Sequence, residues 1–459
     1  MEQVVIVGGG PTGLMLACEL RLGGVDALVI ERLAGPSGES RAGGIHARTM
    51  EILDMRGMLE PFLAEGRRLP RGHFAGIPLD FSGLPTRYPF LLNILQRRIE
   101  RLLEARARDL GVRLRREIAV TGLRQTPDRV EIETTQGELA AEFVVGCDGG
   151  RSTVRKLAGI DFPGTPATMT AILGDVELAS PPAAPVFQQR TPHGNWSVLN
   201  FEPGWYRVMT NDFDHVADRD APITVEDLRA SLLRHAGTDF GLHSPRWISR
   251  YNDAARLASR YRSGRVLLAG DAAHIHYPAG GQGLNTGVQD AFNLGWKLAL
   301  SLQKGQDQEL LDTYEAERRP VAERVLANTR AQTALTRPDP QTSALRGVLT
   351  GLSALGGVNR SLSEMLAGLD IHYAGLGDGA GHRVPDLDLP DGTRLYRHLH
   401  AAQPVLLSRD SARSRRLGGE ALAWDGPAML IRPDGHVAWV EAMGEAALRE
   451  ALGRFSFNE

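Results

Sequence analysis

Short, almost wholly apolar runs alternate with stretches of helical periodicity in the first third of the chain, and that alternation predicts a parallel sheet covered by helices. Residues 3–7 (Gln3-Val4-Val5-Ile6-Val7) read as a buried strand, 11–22 as a helix and 25–30 as a second strand, together a β-α-β unit. Residues 41–66 read as a loop and then a helix, and 96–110 as another helix with Ile99, Leu102 and Leu103 on one face. Over 112–145 the pattern turns to short alternating strands, with Asp128 marking a turn. Residues 161–263 are richer in Pro, Trp and β-branched side chains and predict a separate, mostly antiparallel sheet. Near Gly264 the apolar strand returns, and long helical patterns run from about Thr286 to Asn328. A glycine-rich linker over 375–381, with Pro385 and Pro390 beyond it, leads to a small α/β unit.

The fold class is therefore α/β, in three parts: a Rossmann-type nucleotide-binding domain from 1–70, 96–160 and 264–380, an inserted sheet domain from 71–95 and 161–263, and a C-terminal domain from 385–459. A length of 459 residues agrees, being too great for one hydrophobic core. The formal net charge of −3 comes without a basic stripe, which argues against a nucleic-acid partner. Met1-Glu2-Gln3 lacks the basic region of a secretory signal, and no apolar run approaches the ~20 residues of a membrane span. Cys18 and Cys147, the two cysteines, have neither metal-ligand nor redox-pair spacing. A cytoplasmic protein with no metal is expected; oligomeric state is not written in these features.

Three clusters carry candidate chemistry. Gly8-Gly9-Gly10-Pro11-Thr12-Gly13 satisfies G-x-G-x-x-G between a strand and a helix. In such a loop the first glycine allows the turn, the second lets a pyrophosphate approach and the third lets helix and strand pack. Glu31, at the end of the second strand, is placed for a ribose hydroxyl. In the second cluster the strand before Gly270-Asp271 brings a carboxylate to the ligand-binding end of the sheet, and Pro278-Ala279-Gly280-Gly281-Gln282-Gly283-Leu284-Asn285 opens another helix. The third is Cys147-Asp148-Gly149-Gly150-Arg151-Ser152-Thr153-Val154-Arg155, where Asp148 caps a turn. Taken singly, each also fits a purely structural turn.

Together, in this order and spacing, the clusters resemble the fingerprints of the class A flavoprotein aromatic hydroxylases, the family of para-hydroxybenzoate hydroxylase. Ser40-Arg41-Ala42-Gly43-Gly44-Ile45-His46-Ala47-Arg48-Thr49-Met50-Glu51, His276-Tyr277-Pro278 and Tyr314-Glu315-Ala316-Glu317-Arg318 are most similar to the actinobacterial aromatic polyketide hydroxylases and rifampicin monooxygenase. The resemblance covers nearly the whole chain and implies a thioredoxin-like C-terminal domain, here without a cysteine and so without thiol chemistry. It implies FAD contacts for Gly8, Gly10, Pro11, Thr12, Gly13, Glu31, Arg32, Arg41, Gln96, Asp271, Pro278, Gly281, Gln282, Gly283, Leu284 and Asn285, with Val120 contributing its backbone. Arg41, which the resemblance puts near the isoalloxazine, is the catalytic candidate; an exposed salt bridge is the competing reading.

The implied reaction consumes NADPH and molecular oxygen, and C4a-hydroperoxyflavin hydroxylates an electron-rich, multi-ring aromatic substrate. Only one dinucleotide fold is visible, which fits NADPH as a transient co-substrate. Water would waste the oxygenated flavin, so 161–263 with 71–95 should cover it and form an apolar cavity. Phe74, Phe81, Trp196, Phe201 and Tyr277 are the candidates to line it, and His46, His73, His274 and His276 are candidate bases, none of them assigned.

Rival readings leave marks that can be sought. A rifamycin-inactivating monooxygenase is the alternative within the family, although Gly72-His73-Phe74-Ala75-Gly76-Ile77-Pro78-Leu79-Asp80-Phe81 leans toward polyketide hydroxylases. A flavin-dependent halogenase would carry W-x-W-x-I-P, which none of the six tryptophans provides. A disulfide reductase would need a cysteine pair and a second dinucleotide motif; residues 375–381 imitate one, but no amphipathic helix follows. A non-catalytic FAD-binding redox protein stays open and leaves the large inserted sheet unexplained.

Overall fold

The apolar runs form a parallel sheet. In the computed structural model, which describes residues 1–184, 186–214, 216–218, 221–305, 307–409 and 420–455, Glu2–Val7 lies at its middle. On one side come Ala27–Glu31 and Arg113–Arg116, on the other Gly137–Gly146 and Val266–Leu268, every pair parallel. Val4, Val5 and Ile6 are completely buried, as a strand covered on both faces requires. A hairpin, Val120–Gln125 with Val130–Thr134, extends antiparallel from Gly137–Gly146. The second strand runs to Glu31, one residue beyond expectation, which puts that carboxylate at the strand's last position. Pro11–Leu22 packs against Gln282–Gln303, crossing it at Gly295, where a Cβ would come within 2.3 Å of Glu19 Cβ. The long helical region is two helices, Gln282–Gln303 and Gln308–Thr336, followed by Pro340–Ser353 and Gly356–Ala367.

The inserted sheet is antiparallel throughout, in the order Val186–Thr191, Gly194–Glu202, Trp205–Asp212, Thr170–Leu178, Leu242–Asn252. The helix Val225–Ala236, started by a Thr224/Asp227 capping box, covers one face, where Leu228 and Leu232 meet Ile172, Val176, Trp196, Val198 and Val208. Alternation along the strands then turns Leu173, Leu199, Phe201, Arg207, Met209 and Tyr251 to the opposite face.

Residues 71–95 do not join this sheet, contrary to expectation. Arg71–Phe74 and Ile77–Asp80 pair with each other, and Leu91–Asn93 pairs with Gly44–Ile45 and Arg67–Leu69. The hairpin packs instead on Pro340–Ser353 and Gly356–Ala367. Its pattern explains this: Ile77, Leu79 and Phe81 are buried, Pro78 and Asp80 are exposed, and Pro78 has no N–H for a further ladder.

At the C-terminus Val405–Ser408 runs parallel to Glu420–Ala423 and antiparallel to Met429–Ile431, which pairs with Val437–Val440. Among the described residues its core is shared: Leu430, Trp439, Leu452 and Phe455 form one cluster with Trp296, Leu300 and Leu310.

Candidate functional site

The three motif glycines of the first cluster sit in three different surroundings. Gly8 has φ +115°, and a Cβ there would lie 2.3 Å from Cys147 O; one at Gly13 would lie 2.0 Å from Gly8 O. At Gly10 a Cβ would meet nothing within 4 Å, so this residue borders open space before the N-terminus of Pro11–Leu22. That helix has no side-chain cap. Glu31 Oε2 accepts from Gly9 N at 2.7 Å and Oε1 from Leu33 N at 2.9 Å, with Arg32 exposed beside it. Gln96 Oε1 accepts from Ala42 N at 3.1 Å, and Val120 pairs with Thr134 at a bulge.

The second cluster meets the first at Thr12. A Cβ on Gly270 would lie 2.6 Å from Thr12 Oγ1, and one on Gly287 2.4 Å from it. Asp271 is exposed on the turn Gly270–Ala272. Gln282–Gln303 starts from Gly281 at φ +66°, again without a side-chain cap. Asn285 uses its side chain as a bolt: Oδ1 accepts from His46 N (2.8 Å) and Thr49 Oγ1 (2.6 Å), and Nδ2 donates to Gly281 O (2.9 Å). The third cluster braces the same turn, since Arg155 donates to Ala272 O at 2.8 Å while Asp148 accepts from Thr153 N and Val154 N.

Behind the turn is a residue that motif reading missed. Asp290 accepts from Gly270 N (3.1 Å), His274 Nε2 (2.6 Å) and Arg318 Nε (2.8 Å). Burial alone would raise its pKa, but His274 and Arg318 outweigh it and hold the carboxyl below its usual range. The available signal was Asp290, Asn293 and Lys297 recurring at helical spacing on an otherwise apolar segment.

The candidate histidines separate. His274 is committed to Asp290, and His46 Nε2 donates to Gly280 O at 2.7 Å while burial pushes its pKa down to about 4. His276 Nδ1 donates to Tyr277 O at 2.7 Å. His73 alone of the four is exposed to solvent; its Nδ1 accepts from Gly76 N at 3.2 Å, and desolvation by its neighbours lowers its pKa.

Over the first two glycine clusters lies the face of the inserted sheet opposite Val225–Ala236. Buried Arg207 donates to both Asp175 oxygens (2.8 and 3.0 Å) and to Arg41 O (2.9 Å), with its guanidinium over the rings of Phe201 and Trp247. Arg41 itself pairs with Glu39 at 2.6 Å and donates to Ser249 Oγ at 3.1 Å. Phe201 abuts Gly43, and Tyr277 stacks on Tyr251 while its hydroxyl accepts from Asn211 Nδ2 at 2.7 Å. Burial pushes the Tyr277 phenol up to about 12.

Of the five candidate lining residues, Phe201 and Tyr277 remain partly accessible on this side. Trp196 is a correction: it stacks on Phe187 under Val225–Ala236, on the far face, where the strand's alternation puts an even-numbered neighbour of Val198. Phe81 is another, enclosed against Gly72 in the main core. Phe74 is also buried in that core, although its strand lies against Ala279–Gly281.

Among the described residues no helix is long and apolar enough to cross a membrane, and no group of side chains is placed to hold a metal ion. The residues fit FAD: two uncapped helix starts, an open face at Gly10 and two flanking carboxylates match a dinucleotide's phosphates and hydroxyls.

Comparison with known proteins agrees. Residues 1–329 match the FAD binding domain family and 378–456 the C-terminal domain of aromatic-ring hydroxylases. The chain is 47% identical to 12-dehydrotetracycline 5-monooxygenase/anhydrotetracycline 6-monooxygenase of Streptomyces rimosus, over 98% of each chain. It is 44% identical to rifampicin monooxygenase of Streptomyces venezuelae, over 96% of this chain and 95% of that one. The structure superposes on an anhydrotetracycline hydroxylase from Streptomyces rimosus with TM-score 0.91 (46% identity, 99% of each chain). It also superposes on the Diels-Alderase of pyrroindomycin biosynthesis with TM-score 0.89 (39% identity, 100% of each chain). The chain belongs to the FAD-binding aromatic-ring hydroxylases and is a flavin-dependent monooxygenase.

Proposed function

We propose that this monooxygenase hydroxylates a polycyclic aromatic substrate of polyketide type, with NADPH as electron donor. The observation that carries the reading is the pair of uncapped, glycine-headed helix starts in contact through Thr12. The backbone of residues 8–13 receives the pyrophosphate at the open face of Gly10, and Glu31 binds a ribose hydroxyl. Asp271 binds ribityl hydroxyls, and the N–H groups of residues 283–285 face the pyrimidine edge of the ring. Bound FAD supplies the redox chemistry, passing two electrons from NADPH to dioxygen so that one oxygen atom enters the substrate ring and the other leaves as water. The chain holds the substrate and keeps water out: Leu173, Leu199, Phe201 and Met209 make an apolar wall, Arg41 supplies positive charge, and His73 offers an accessible imidazole for a substrate hydroxyl.

Screening multi-ring phenols for accelerated NADPH consumption, with product mass as readout, tests the reading. A product heavier by one oxygen, made with NADPH uptake, is the expected result; no acceleration by any fused-ring phenol defeats the substrate assignment. Likeness to the Diels-Alderase favours one second reading, ring closure inside the same flavoprotein frame. A product isomeric with its precursor, formed without NADPH, would select it.

A further inference from the structure

Besides its apolar contacts, the C-terminal domain reaches into the nucleotide-binding domain with a tight turn, residues 432–436. Gly435 there has φ +73°, and a Cβ would fall 2.6 Å from Met55 Sδ, so the turn is seated as closely as backbone allows. Four chains of contacts leave it; one runs from Pro433 O through Arg56 Nη2 (2.9 Å) to Glu19 on Pro11–Leu22, and the other three run toward Gln282–Gln303. Asp434 O accepts from Arg48 Nη2 at 2.8 Å; Arg48 lies on Ala47–Asp54, whose Thr49 and preceding His46 both donate to Asn285 Oδ1. Arg432 donates to both Glu317 oxygens (2.7 and 2.8 Å), and Glu317 accepts from Asn293 Nδ2 and Lys297 Nζ (both 2.7 Å) on Gln282–Gln303. His436 packs its ring on Tyr373 at 4.2 Å; the Tyr373 hydroxyl accepts from Arg318 Nη1 at 3.2 Å, and Arg318 holds Asp290, which accepts from Gly270 N. Every side chain on these routes is buried.

We propose that the turn at residues 432–436 positions the second flavin grip, residues 270–285, and thereby sets FAD affinity; this rests on the flavoprotein assignment above. A domain held only for stability needs apolar contact, which the shared cluster around Trp296 and Trp439 already supplies. Buried ion pairs add little net stability over well-packed apolar groups, but they do dictate geometry. Here the routes through Arg48 and Tyr373 end on atoms that orient the grip, namely Gly270 N beside Asp271, Gly280 O and the Asn285 side chain, while the Arg432–Glu317 route ends farther along the same helix at Asn293 and Lys297. Arg48, Tyr373 and Asp434 are positioning residues that act through these atoms.

The test is FAD titration of the apo full-length protein, read by flavin fluorescence and by the visible spectrum of the bound flavin. Tyr373→Phe keeps the ring and removes one hydrogen bond, so it folds; its expected FAD dissociation constant is about threefold weaker. Arg48→Met should weaken binding about tenfold and shift the flavin spectrum, with Arg48→Lys recovering part of the loss. Leu448→Ala, on the C-terminal helix in the apolar cluster shared with Trp296, touches none of the polar routes; it lowers the melting temperature and should leave FAD affinity unchanged. Wild-type affinity and spectrum in both Tyr373→Phe and Arg48→Met would overturn the positioning role, as would an equal loss in Leu448→Ala. Wild-type protein that takes up no FAD defeats the flavoprotein assignment instead.

Discussion

The glycine-headed helix starts and the 432–436 turn are both polar constructions inside an apolar protein, and they treat their hydrogen-bonding groups in opposite ways. Pro11–Leu22 and Gln282–Gln303 begin without a side-chain cap, and no protein atom lies within 4 Å of a Cβ built on Gly10. Around the turn, Arg432, Asp434, Glu317, Lys297 and Arg48 are buried and paired with one another or with backbone. Open donors at a buried edge are costly unless a ligand completes them, whereas closed networks hold parts in register. Motif glycines and charged residues therefore gain meaning from whether their partners are already present.

The contrast can be broken at its open end first. Gly10→Val should abolish flavin uptake, seen as loss of visible absorbance in the purified protein, while the melting temperature stays near that of the wild-type apoprotein because a Cβ there meets no protein atom within 4 Å. Unaltered flavin content would remove the pyrophosphate from this site. At the closed end, Arg432→Met leaves Glu317 and Asp434 buried without their main partner and should cost about 3–5 kcal/mol in denaturant unfolding. A loss below 1 kcal/mol, roughly that of a surface change, would show the network to be dispensable.

The same network predicts a pH dependence. Burial alone would raise Glu317, but the Arg432 guanidinium and the Lys297 ammonium outweigh it and hold its pKa at about 2, against an ordinary 4.5. A depressed acid binds more protons unfolded than folded, so its contribution is complete above 4.5 and is lost as pH falls toward 2. Unfolding free energies from urea titrations down to about pH 3 should fall by about 2 kcal/mol in wild type and less steeply in Glu317→Gln. Parallel slopes would assign the acid sensitivity elsewhere.

Smaller effects sharpen the picture. Asp271→Ala removes charge-assisted contacts from an exposed carboxylate, so FAD should bind about 10–100-fold more weakly with little change in stability. Trp196→Phe should cost about 1 kcal/mol of stability and leave substrate-stimulated NADPH consumption as it was, since the indole lies beneath the covering helix. A changed substrate preference in that variant would return Trp196 to the pocket.

Much of the nucleotide frame was legible in the sequence. The strand, glycine loop and helix at residues 2–22, and the Gly-Asp turn before a second helix, are written in residues only a few positions apart. Less was legible in the sheet. Period-two alternation says that Trp196 and Phe201 point to opposite faces, but not which face the helix Val225–Ala236 covers. The hairpin at residues 71–80 was misplaced because its alternation shows one buried face without naming the helices that bury it.

By itself the sequence determined the class, the family and the glycine-headed helix starts, because turns, helix starts and strand ends depend on local backbone chemistry. Tertiary structure alone decided which polar residues were still free for a ligand. Asp434 meets Arg48 across 386 positions of chain and Asn285 meets His46 across 239, and such pairings depend on packing between elements whose own sequences carry no trace of each other.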